Sequence, residues 1–192
     1  MNAQHSLPHR QSGLSLIEVL ITLLVLLLGI LGIAGMTVQS QRAGVESYQR
    51  DQALFLLQDM VERINVNRNV VASCYLTSTL SPAYLGNGSG TVPNCGAGTA
   101  PEAALANQDL VEWDNLLKGA TETSSGANVG VSIGARGCVT LLATGLYLVT
   151  VTWQGLSTTA APPAGLPCGS GLYGDDTQRR VVSVPVRIAN LT

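Results

Sequence analysis

Gly13 to Gly35 reads GLSLIEVLITLLVLLLGILGIAG. A glycine opens the stretch and one carboxylate, Glu18, follows close behind it. From Val19 to Val38, twenty residues then pass without a formal charge. As a helix rising about 1.5 Å per residue, that run reaches about 30 Å, one bilayer core. A secretory signal has an apolar region of only about 7–15 residues and no use for an acid inside it. A carboxylate in a spanning segment costs at least about 2.5 kcal/mol, so Glu18 calls for a charged partner.

The residues before Leu14, MNAQHSLPHRQSG, are polar and include no acid; Arg10 supplies a positive flank. A cut after Gly13 would give Leu14 a free α-amine close to bilayer depth. Glu18 is an opposite charge within reach of that amine, or of the same amine on a neighbouring subunit. A desolvated charge needs such a partner. The pattern points to a subunit that adds laterally to others through its N-terminal helix.

Gly13-Leu14-Ser15-Leu16-Ile17-Glu18 resembles the prepilin peptidase site of type IV pilins and pseudopilins. The resemblance implies cleavage after Gly13, N-methylation of Leu14 by the same enzyme, and subunit docking guided by Glu18. Leu14 stands where most members have phenylalanine, which bears on methylation more than on cleavage. SLIEVLITLLVLLLGILGIAGM and the QSQRA after it further resemble the PilV type of minor pilin. So do Asp109-Leu110, Trp113 and Leu117 in a DLxxWxxxL pattern, and YLVTVTW at 147–153.

The fold expected is α+β and pilin-like: a long N-terminal helix, half transmembrane, packed on a small antiparallel β-sheet. Residues 1–13 are the leader, 14–38 the transmembrane half of the helix, 39–68 its amphipathic periplasmic half, and 69–192 the globular head. The function implied is a minor pilin that helps prime and assemble a type IV pilus. Its partners would be other minor pilins and the major pilin, the prepilin peptidase, the inner-membrane assembly platform and the membrane itself. It would sit in the inner membrane with its N-terminus cytoplasmic, then in the pilus at the cell surface. A minor pseudopilin of type II secretion shares the N-terminal motif, and the cysteine loops lean toward the pilus. A membrane-anchored periplasmic binding domain is a third reading, and it predicts no processing after Gly13.

The chain has 192 residues, a net charge of −2 and only 11% charged residues. One small head with a modest core suits that length. No basic patch supports nucleic-acid binding. The histidines are His5 and His9, both in the leader, so no Ser-His-Asp or Cys-His site is expected beyond it. No phosphate-binding or dinucleotide motif is present. Neither an enzyme nor a cofactor is indicated, and the cysteine spacing argues against a metal.

The four cysteines are Cys74, Cys95, Cys138 and Cys168. Past the span they would face an oxidising compartment, where disulfides persist. Several connectivities are open, and free buried thiols are the other reading. The favoured pairing is Cys74 with Cys95 and Cys138 with Cys168, each closing one loop rich in glycine and proline.

Between the cysteines the periodicities are plain. Leu54, Leu57, Val61 and Ile64 form an apolar stripe at helical spacing, widened by Phe55 and Met60, and Asp59 can pair with Arg63. That helix is expected to end near Asn65 to Asn69. Gly29, Gly32 and Gly35 are either close-packing positions or a weak spot where the helix unwinds. Residues 102–118 return to helical spacing, with Leu105, Leu110, Trp113, Leu116 and Leu117 on one face. Val129, Val131 and Ile133 alternate as a strand, Gly134 to Gly137 reads as a hairpin turn, and Cys138 to Leu142 returns. Leu146 to Trp153 is the longest strand, with Tyr147, Val149, Val151 and Trp153 on one face. Residues 156–178 form a long loop held by Cys168. The last strand, 179–190, carries Pro185 and belongs at an edge or at a bulge.

Overall fold

The computed structural model describes residues 15–92, 94–120, 123–124, 127–128 and 132–189. The architecture is α+β, a long N-terminal helix with a four-stranded antiparallel sheet. The chain divides into two compact units, Met1–Ala43 and Gly44–Thr192. Helix α1 runs from Leu16 to Val66, 51 residues without a break. Straight-chain and branched apolar residues fill its first half, and no proline interrupts it. It ends where asparagine replaces the apolar period, and a 3₁₀ turn (Arg68–Val70) and a single π turn (Val71–Tyr75) follow.

In the first unit every described residue is exposed, from Ser15 through Ala43. One 18-residue window there reaches a mean hydropathy of 2.9, long and apolar enough to cross a membrane. The second unit holds the core. There α1 turns Ala53, Leu57, Met60 and Ile64 inward, at steps of three and four. Against them lie helix α2 (Ala100–Leu117) and the sheet. Thr99 and Glu102 form a reciprocal capping box at the start of α2, and Pro101 stands in its first turn.

The sheet is built from β1 (Leu85–Gly86), β4 (Arg136–Ala143), β5 (Leu146–Gln154) and β6 (Arg179–Arg187), in the order β1-β4-β5-β6. Between α2 and β4, two short strands, β2 (Thr123–Ser124) and β3 (Ala127–Asn128), pair with each other. Strands β4 and β5 are joined through Thr144-Gly145, with Gly145 at φ 70°. Val139, Val149 and Val151 are fully buried on the face toward the helices. On the opposite face Thr150 and Thr152 are also buried, because the 156–178 loop lies over them. Strand β6 is the sheet's edge, and Pro185 sits opposite Leu148, where its missing N–H costs no ladder bond.

Three expectations about side chains change. Phe55 is 71% exposed and Leu54 38%, so neither belongs to the buried stripe. Phe55 lies two residues before Leu57, about 200° around the helix, and therefore points away from the core. On α2 the buried face is Ala106, Asp109, Leu110, Trp113, Asp114 and Leu117; Leu105 lies beside it, 37% exposed.

The region before β4 also differs. Val129 and Val131 lie outside the described residues. Ile133 and Gly134 sit in a turn closed by Ala135 N–H donating to the Ser132 carbonyl at 3.1 Å. Arg136 and Gly137, expected in a hairpin turn, already belong to β4, which pairs there with β1 and β5. The physical reason is Trp113. A Cβ on Gly137 would run into its ring at Cη2, Cζ2 and Cζ3, so this glycine serves packing rather than turning.

Candidate functional site

The N-terminal candidates divide at the edge of the described residues. Gly13 and Leu14 lie outside them. Glu18 stands in the first turn of α1, its amide donating to the Ser15 carbonyl at 3.0 Å. A carboxylate there is favoured by the unsatisfied N–H groups of the helix start. It is exposed and makes no ion pair among the described residues. Beyond it Leu20, Ile21, Leu23, Leu24, Val25 and Leu26 are each more than half exposed, an apolar surface on all sides of the helix. A helix apolar all round belongs in lipid or among other helices. Gly29, Gly32 and Gly35 have open space where a Cβ would stand, so a partner could approach the backbone closely there.

The cysteines come together in two pairs. Cys74 is bonded to Cys95 with Cα atoms 5.3 Å apart, and Cys138 to Cys168 at 6.0 Å. The first bond ties the π turn after α1 to the segment that leads into α2. The second ties the long loop to β4. No cluster of three potential metal-ligating side chains occurs among the described residues.

A polar network missed at the level of sequence joins α1 to α2. Arg63 donates from Nε to Asp59 at 2.8 Å, and from Nη1 to Asp109 at 2.9 Å and Glu112 at 2.7 Å. The Tyr75 hydroxyl donates to the other Asp109 oxygen, and Asn67 Nδ2 donates to Tyr75 Oη and the Glu102 carbonyl. Burial works against the charge on Arg63, but its bonds to Asp59 and Glu112 outweigh that and raise its pKa. Burial pushes the Tyr75 hydroxyl up, and its bond to Asp109 adds to the effect. Sequence spacing finds the Asp59–Arg63 pair. The rest had one signal, a carboxylate at Asp109 on the same helix face as Leu110 and Trp113.

Arg179 organises the long loop. Its side chain is only 2% exposed, with Nη1 donating to the carbonyls of Leu166 at 2.7 Å and Cys168 at 3.1 Å. Nε and Nη2 grip both oxygens of Asp176 at 3.0 and 2.7 Å. That grip, with the Gly171 amide, lowers the Asp176 carboxyl from 3.8 to about 2. A depressed folded pKa means the contribution to stability is present above pH 3.8 and is lost as pH falls toward 2. The carboxyl carbon of Asp176, followed by NMR, is expected to titrate with a midpoint near 2. In Arg179→Lys, which loses the two-pronged grip, the midpoint is expected to rise toward 3.8.

Residues 8–34 match the family model for the prokaryotic N-terminal methylation motif. Residues 35–111 match the model described as type IV pilin Tt1218. Over residues 8–111 the chain is thus similar to type IV pilins. No curated protein and no solved structure matches it. The two matches abut between Ala34 and Gly35 and together take in α1, the Cys74–Cys95 bond and α2 as far as Val111. The strands β4, β5 and β6 and the second disulfide lie beyond both matches. Pilins are structural subunits, and the apolar N-terminal helix with its methylation motif fits membrane anchoring and pilus assembly.

Proposed function

We propose that this chain is a minor pilin of the PilV kind, which helps to prime and assemble a type IV pilus. The observation that carries the reading is Gly13-Leu14-Ser15-Leu16-Ile17-Glu18 running directly into a helix exposed and apolar on every side, within a matched methylation motif. Gly13 offers the prepilin peptidase a scissile bond with no side chain crowding it. Leu14 supplies the new amine and accepts the methyl group. Glu18 pairs with the amine of a neighbouring subunit, so docking compensates a charge that is costly in the bilayer. Other minor pilins, the major pilin and the inner-membrane assembly platform are the partners. The subunit waits in the inner membrane, N-terminus in the cytoplasm, and then enters the pilus.

Protein purified from its host's membranes is expected to begin at Leu14 and to carry one extra methyl group by intact mass. A chain that keeps Met1 through Gly13 would overturn the reading. Type II secretion shares the motif, so deletion separates the two. Lost piliation is expected, and lost enzyme secretion with normal piliation would assign the chain to a pseudopilus.

A further inference from the structure

One cation of the second unit is built into an aromatic frame and, among the described residues, pairs with no anion. The Arg136 guanidinium lies over the ring of Tyr173 at 4.8 Å and over that of Tyr84 at 5.3 Å from the centroids. Its Nη1 donates to the Gly134 carbonyl at 3.0 Å, while Nε is buried with no partner. No carboxylate pairs with it among the described residues. The nearby Asp114 is already engaged by the Gly86 amide, Ser89 and Lys118. The frame is itself held. Tyr173 donates to the Gly134 carbonyl at 2.9 Å, which leaves the Thr152 hydroxyl to donate to Tyr173 at 2.7 Å. Tyr84 donates to the Gly88 carbonyl at 3.2 Å. Nη2 makes no hydrogen bond among the described residues and is not buried, so it is the donor open to a carboxylate, in a charge-assisted bond.

Tyr84 has a second role. It lines a hollow of about 150 Å³ along with Thr79, Ser81, Ser89 and Thr91. Among the described residues Ser81 and Thr91 make no side-chain hydrogen bond. A hydroxyl-rich wall with one aromatic ring matches a sugar, which presents hydroxyls at its edge and C–H groups on its face. We infer that Arg136, Tyr84 and this hollow form a binding site for an acidic saccharide unit, a hexuronate, whose carboxylate meets Arg136 and whose ring occupies the hollow. The site belongs to the Gly44–Thr192 unit and does not depend on which fibre the subunit enters.

The test is calorimetric titration of the full chain in a sugar-free detergent, lauryldimethylamine oxide, with sodium glucuronate, glucose and sodium acetate. Glucuronate is expected to bind about tenfold or more tightly than either of the others, since each supplies only half of the recognition. Arg136→Gln is expected to weaken glucuronate by about tenfold or more, and Thr91→Trp, which fills the hollow, to do the same with Arg136 intact. Folding of each variant is checked by circular dichroism, and the wild-type comparison stands even where a variant misfolds. Absence of glucuronate binding overturns the inference. So does binding no tighter than acetate or glucose, or binding unchanged in a folded Arg136→Gln protein.

Discussion

Trp113→Ala is expected to lower the stability of the Gly44–Thr192 unit by about 3–5 kcal/mol. The indole is fully buried and joins all three parts of the core. Its Nε1 donates to the Leu56 carbonyl of α1 at 2.9 Å, it sits on α2, and its ring edge lies on β4 at Gly137. Removing it leaves a cavity among three elements that cannot all close on it, and frees the Leu56 carbonyl of its extra donor. Denaturant unfolding followed by circular dichroism is expected to show a lower midpoint with an unchanged slope. Gly137 supplies the second half of the test. Gly137→Ala inserts one methyl into the ring's place and is expected to cost about 1–3 kcal/mol in the wild type. In the Trp113→Ala background the same methyl enters the cavity, and the cost is expected to vanish. Additive losses in that double-mutant cycle would mean that the two residues do not share this space.

The same pair of residues shows where sequence reading succeeds and where it stops. Helix α2 and strand β5 are legible because their periods, close to 3.6 and 2, repeat over many residues. Gly137 is not, since a glycine in a short strand and a glycine in a turn look alike until the ring that excludes a side chain is known. That ring comes from a residue 24 positions earlier. Phe55 fails for a related reason. Apolar residues border the buried stripe on both sides, and hydropathy alone does not say which border faces solvent. Asp109 marks a third limit. A carboxylate on the buried face of a helix reads as an error of pattern until Arg63 and Tyr75, from α1 and the turn after it, arrive as its partners. The N-terminal candidates are the reverse case. They lie in consecutive residues, so their reading rests on the sequence almost alone, and of the three only Glu18 falls among the described residues.

Glu18→Ala is expected to leave processing after Gly13 intact and to reduce incorporation of the subunit into sheared pili by about tenfold or more. The size follows from the cost of leaving a desolvated charge without its partner, about 3–5 kcal/mol for a fully buried pair and less where water reaches it. The alanine itself is welcome in the helix and removes a carboxylate from the apolar segment, so insertion and helix formation are not impaired. On the proposed docking role, what is lost is the counter-charge for the amine at Leu14 of the next subunit. Glu18→Gln separates charge from shape. It keeps the side chain's length and hydrogen-bonding oxygen, and on the proposed docking role it behaves like alanine. Intact mass of the membrane-bound pool reports cleavage in the same cells, so a processing failure is distinguished from a docking failure. Normal incorporation of a processed Glu18→Ala subunit would mean that the carboxylate at the start of α1 serves something other than the joining of helices. Loss of both cleavage and incorporation would place its role at the peptidase.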